Sequence, residues 1–132
     1  MTRRELETNV FQLLKGRGFS TPVYKQDTRD PNYRGEYIEI IPLTFDESNF
    51  QASSIVNVNV HVPDVNGLKD TKRIDALSEL VRQAFRLNKD AFESYYTIYK
   101  DGEFSIVSIQ DYKEDNSTHF RNFRIKVTYL NL

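Results

Sequence analysis

No cysteine occurs in this chain of 132 residues, and no tryptophan. The first absence excludes disulfides and thiolate metal sites and is compatible with a reducing compartment. Neither sign of charge dominates: 18 Lys and Arg stand against 19 Asp and Glu, for a formal net charge of -1. No global field therefore draws the chain to nucleic acid or to an anionic membrane. Long apolar runs are missing too, since none approaches the roughly 20 residues of a membrane span. Met1-Thr2-Arg3-Arg4-Glu5-Leu6-Glu7 is polar from its first residue, without an apolar h-region, so no signal peptide is expected.

The motifs of catalysis are scarce as well. Gly16-Arg17-Gly18 has no strand before it and no Lys-Ser/Thr after it, so it reads as a helix C-cap and not a phosphate loop. No Gly-x-Ser-x-Gly elbow is present. Asp64-Val65-Asn66-Gly67 lacks the spaced acids and closing Glu of a calcium loop and reads as a turn. Only two histidines occur, His61 and His119, so a zinc site would need both plus carboxylates gathered by folding. The acidic groups at Asp27 and Asp30, at Asp46 and Glu47, and at Asp111, Glu114 and Asp115 read as solvated loop tips. The expectation is a protein that is not an enzyme, with no catalytic residue, cofactor or metal.

What the chain does contain is pattern. In Ser54-Ile55-Val56-Asn57-Val58-Asn59-Val60-His61-Val62-Pro63, four valines alternate with Asn57, Asn59 and His61. Period-two alternation is the mark of a strand with one face in the core, and Pro63 ends it because proline cannot donate to the ladder. Thr2-Arg3-Arg4-Glu5 is a capping box, and Leu6, Val10, Leu13 and Leu14 carry a helical stripe over about 3–15. Residues 19–24 suit a short strand or extended connector. Residues 26–36 read as a loop, 37–42 as a strand closed by Pro42, and 44–54 as a long polar excursion. Asp70 or Thr71 caps a second helix whose stripe is Ile74, Leu77, Val81, Ala84 and Phe85, ending near Asn88. Residues 95–99 and 104–109 form a hairpin about Asp101-Gly102. Residues 118–130 form a long strand, with Phe123, Ile125, Val127 and Tyr129 on one face and Arg124, Lys126 and Thr128 on the other.

The chain is thus expected to be a single α+β domain over 1–132. A twisted, mainly antiparallel sheet of about four to six strands would pack against two helices, in the order α-β-β-β-α-β-β-β. Two surfaces are candidates for function. Asn57, Asn59, His61, Arg124 and Lys126 form a polar strand face that either meets water or serves as a subunit interface, since neutral Asn and His are cheaper to bury than Lys or Glu. Arg82, Arg86 and Lys89 form a basic face on the second helix. That face is either a solvated surface, with Glu79 as a local partner, or the contact of a small nucleic-acid-binding accessory domain.

A capped helix ending in glycine, a strand ending in Pro42, a long polar loop, the strand at 56–63, the helix at 71–87, a hairpin and a long final strand follow one another. This layout resembles the tail-terminator and tail-completion proteins of long-tailed bacteriophages, and related minor tail proteins of prophages. The resemblance covers nearly the whole chain and rests on size and element order. It implies a subunit that assembles into a ring, typically a hexamer, which caps the tail tube and joins it to the head connector. The implied partners are copies of itself and other tail and neck proteins, with no membrane, and with DNA met only in a ring lumen. The implied location is the virion tail, and the host cytoplasm during assembly. The family offers no catalytic residue to carry over.

Overall fold

The valine strand forms as its alternation demands. β1 (Val23–Lys25), β2 (Tyr37–Thr44), β3 (Gln51–Pro63), β4 (Tyr96–Tyr99), β5 (Gly102–Lys113) and β6 (Thr118–Leu130) build one sheet. In β3, Val56, Val58, Val60 and Val62 are each at most 2% exposed. That strand pairs antiparallel with β6 along its whole length, from Gln51↔Leu130 to Pro63↔Thr118. The two thirteen-residue strands form the centre of a curled, mixed sheet in the order β1-β2-β3-β6-β5-β4. The computed structural model describes residues 3–16, 20–44, 51–85, 96–100, 102–114 and 117–130.

Both helices lie on the valine side. α1 (Arg3–Lys15) buries Leu6, Val10 and Leu14 and packs on β1 and β2. α2 (Thr71–Ala84) buries Ile74, Leu77, Val81 and Ala84 and packs on β3 and β6. The Asp70 carboxylate caps α2 by accepting from the Arg73 backbone N–H at 3.2 Å. Phe104, Phe123, Ile125, Val127 and Tyr129 complete the core from β5 and β6. With two helices on one side of a six-stranded sheet, the class is α+β.

Several expectations need correction. The sheet is mixed, because β1 runs parallel to β2 (Val23↔Ile38, Lys25↔Ile40). The loop at 26–36 carries the chain back to the starting end, which a tight hairpin does not do. Strand positions do not follow chain order: after α2 the chain re-enters at the far margin with β4 and works inward, so that β6 ends beside β3. Pro42 does not close β2. A register shift between Pro42 and Thr44 absorbs it, its carbonyl accepts from Arg3 Nη2 at 3.0 Å, and the strand runs on to Thr44. The polar excursion is shorter than expected, because full-length pairing with β6 draws residues 51–54 into β3. β1 begins only at Val23, and the α-helix of α2 ends at Ala84 with Phe85 as its cap. Thr2, Gly18, Asp101, Asp115, residues 45–50 and the expected helix end near Asn88 lie outside the described residues.

Candidate functional site

The side of the sheet opposite the helices carries the chemistry that core packing does not explain. Strand register orders it in rows that cross the sheet. One row is Tyr37, His61, Phe120 and Tyr112. The next is Glu39, Asn59, Asn122 and Gln110, followed by Ile41, Asn57, Arg124 and Ser108. Beyond these come Ile55, Lys126 and Ser105, then Ser53, Thr128, Glu103 and Ile98. The β5 register shifts between Ile106 and Ser108, which lets Ser105 and Ser108 share this side although they are three residues apart.

The first row is a stack of rings. Tyr37 and His61 lie 4.3 Å apart at 10°, His61 and Phe120 5.0 Å apart at 27°, and Phe120 and Tyr112 5.2 Å apart at 22°. The Arg29 guanidinium closes one end, 4.6 Å from the Tyr37 centroid. At the other end Tyr112 is 43% exposed, and its hydroxyl donates to Gln110 Oε1 at 2.9 Å. In the second row Asn122 Nδ2 donates to Asn59 Oδ1 at 2.7 Å, and both residues are 8% exposed.

His61 is 5% exposed, and its Nδ1–H donates to Glu114 Oε2 at 2.9 Å. Burial between two rings disfavours the imidazolium and lowers the pKa below its ordinary 6.5, against the opposing pull of Glu114 and Glu39. His119 makes a second such pair, donating from Nδ1 to Asp64 Oδ1 at 2.7 Å. The two pairs tie the turn between β5 and β6 to the end of β3, together with the Asp64 N–H, which donates to the Ser117 carbonyl at 2.7 Å. They border a cleft of about 530 Å³ that Arg29, Tyr33, Gly35 and Tyr37 complete. Gly35 lets the Tyr33 ring lie close against the backbone there, since a Cβ would stand 2.6 Å from the Tyr33 hydroxyl and displace it. Arg29 donates to the Tyr33 carbonyl and Arg34 to the Pro31 carbonyl. The polar groups of the cleft therefore engage the protein itself, and no nucleophile–base pair forms among its described residues. No group of three His, Asp or Glu side chains that could hold a metal ion occurs among the described residues. No described helix is long and apolar enough to cross a membrane.

On the helix side, a charged network replaces part of the apolar core. Arg121 lies in the phase of Phe123 and Ile125, directly across from Asp111. Its Nε and Nη2 donate to the two Asp111 oxygens at 2.6 and 3.0 Å, and its Nη1 to Asp75 and Ser78 on α2. Lys69 also pairs with Asp111. The Arg121 bonds, and then Lys69, outweigh burial and hold the Asp111 carboxyl down at about 2. Arg73 binds Glu36 in the same forked manner, at 2.7 and 2.5 Å, and lowers its pKa below 4.5.

These shifts predict two stages of acid destabilisation. His61 is favoured neutral in the fold, so its contribution is complete above 6.5 and declines as pH falls below that value. Asp111 and Glu36 are favoured ionised, so their contribution is present above 3.8 and 4.5 and disappears on further acidification, towards pH 2 for Asp111. Thermal unfolding followed from neutral pH downward shows the first decline in the wild-type chain. His61→Phe, which keeps the ring stack, flattens that stage and leaves the second. An unchanged first stage in the variant would contradict this assignment.

All five residues expected to form a polar strand face do share one side. Asn59 and His61, however, are buried within the subunit, because the ring row and the amide pair cover them. Asn57 is half-buried, and Arg124 and Lys126 are exposed. Of the expected basic face, Arg82 is half-buried with its guanidinium 5.9 Å from the Phe123 centroid, while Arg86 and Lys89 lie outside the described residues. Sequence reasoning missed the Asp111–Arg121 pair and the ring row. The signal for the pair was Arg121 in the apolar phase of β6; the β5 register shift between Ile106 and Ser108 hid the phase of Asp111, which reads in sequence as part of a solvated loop tip. The chain matches no protein-family model and no curated protein sequence.

Proposed function

We propose that this chain is a structural subunit of a phage or prophage tail, a tail-terminator or tail-completion protein that closes head-to-tail into a ring. The ring would cap the tail tube and present a surface to the head connector, so function resides in interface geometry. A ring requires two different, mutually complementary patches on each subunit. The observation that carries the reading is a pair of exposed apolar residues at opposite margins of one rigid sheet. Leu43, on β2 beyond the short cover of β1, is 45% exposed, and Ile98, on the margin strand β4, is 61% exposed. The buried core of a contact between identical subunits is more apolar than the rest of the surface. The already desolvated Asn59–Asn122 pair and His61 add rigidity between the two margins.

Head-to-tail contact has a signature in mixing experiments. Leu43→Asp and Ile98→Asp each sediment as a monomer, because each spoils one half of the contact. An equal mixture of the two forms a dimer and stops there, since only one intact half of each kind remains. Variants that assemble like the wild type would overturn the assignment of these margins.

A further inference from the structure

We propose that the side of the sheet opposite α1 and α2 binds single-stranded nucleic acid, with Arg124 and Lys126 on the phosphates and a base stacked on Tyr112. This goes beyond the ring reading and holds for the isolated subunit. Three observations meet on this side. First, Arg124 and Lys126 are exposed and form no ion pair among the described residues. Arg73 and Arg121, by contrast, are spent on Glu36, Asp75 and Asp111. Second, the β5 side chains directly across from the two cations are neutral hydrogen-bonding groups, Ser108 opposite Arg124 and Ser105 opposite Lys126, of the kind that contact phosphate and sugar without reading sequence.

Third, the ring stack running in from Arg29 ends at Tyr112, which is 43% exposed at the β5 end of its row. A nucleobase has the flat face that continues such a column, and base–aromatic stacking tolerates any base. From the Tyr112 row to the Lys126 row is three steps of two residues, roughly 20 Å of strand. That length accommodates a few nucleotides laid along β5 and β6, with the cations at one end and the ring at the other. Among the described residues three acids share this side: Glu39 lies two strands away from β6, Glu103 is the diagonal neighbour of Lys126, and Glu114 is engaged by His61 near the Tyr112 end. Duplex DNA offers the phosphates but no unstacked base, and an acidic protein offers charge without rings, so a single strand fits the combination.

Fluorescence anisotropy of a labelled oligothymidine, titrated with the whole chain at low salt, tests this. Binding is expected, weakening with salt at a log–log slope of about -1.4 for two phosphate contacts on a single strand. Arg124→Ala with Lys126→Ala flattens the slope and abolishes most binding. Tyr112→Ala weakens binding roughly tenfold without changing the slope. Glu103→Gln tightens binding, and Arg82→Ala leaves it unchanged. Circular dichroism and thermal unfolding of each variant separate lost contacts from lost fold. No binding at low salt, equal affinity for duplex DNA or polyglutamate, or indifference to Tyr112→Ala in a folded variant would each overturn the proposal. None of these results depends on ring formation.

Discussion

Phe123→Ala lowers the free energy of unfolding by about 3–5 kcal/mol. Phe123 is fully buried at the middle of β6, paired in register with Val58 on one side and Ile109 on the other. Truncation opens a cavity where the central strand pair meets α2, beside the fully buried Val58, and the packed core closes into such a void only in part. It also removes the ring beneath the Arg82 guanidinium. Urea denaturation followed by circular dichroism measures the change. The midpoint is expected to fall with little change in slope, because the surface exposed on unfolding is nearly the same. A loss below about 1 kcal/mol would mean that the centre of β6 does not organise the core.

Arg121→Ala follows, at about 2–3 kcal/mol, below the full cost of breaking a deeply buried pair because Asp111 retains some solvent contact and Lys69. Arg121 is the node that ties α2 to β6 and β5, and its side chain is 13% exposed. Its removal leaves Asp111 without the fork that holds its carboxyl at about 2, and leaves Ser78 Oγ without its donor. A double-mutant cycle with Asp111→Asn measures the coupling directly. The sign with pH follows from the depressed carboxyl. The coupling is present above pH 3.8 and vanishes as pH falls towards 2. A cycle that shows additivity at neutral pH would reduce the network to a surface ornament.

Alternation and helical spacing were enough to place β3, β6 and both helix stripes, because Val56 to Val62 and Phe123 to Tyr129 obey their periods without interruption. The same residues located the polar side of the sheet. What the pattern does not contain is which strand lies beside which. β3 pairs with β6 across an intervening helix, and β1 joins β2 in parallel, contacts set by long-range packing and not by neighbours in sequence. The ring row was hidden for the same reason. Tyr37, His61, Tyr112 and Phe120 come from four strands, and only the register brings them into one line. His61 consequently appears in sequence as a polar residue on an open face and in the structure as a buried ring between two others. Arg121 was legible as an exception to the apolar phase of β6, whereas Asp111, expected at a solvated loop tip, lies within β5 and is bound by Arg121.

The proposed function requires that identical subunits close on one another. Native mass spectrometry of the purified chain, alone and with tail-tube protein, tests it most directly. A closed oligomer at a fixed multiple of the 15.5 kDa subunit, six in the arrangement the resemblance implies, is expected in at least one of the two conditions. A species of 15.5 kDa alone in both conditions would contradict it.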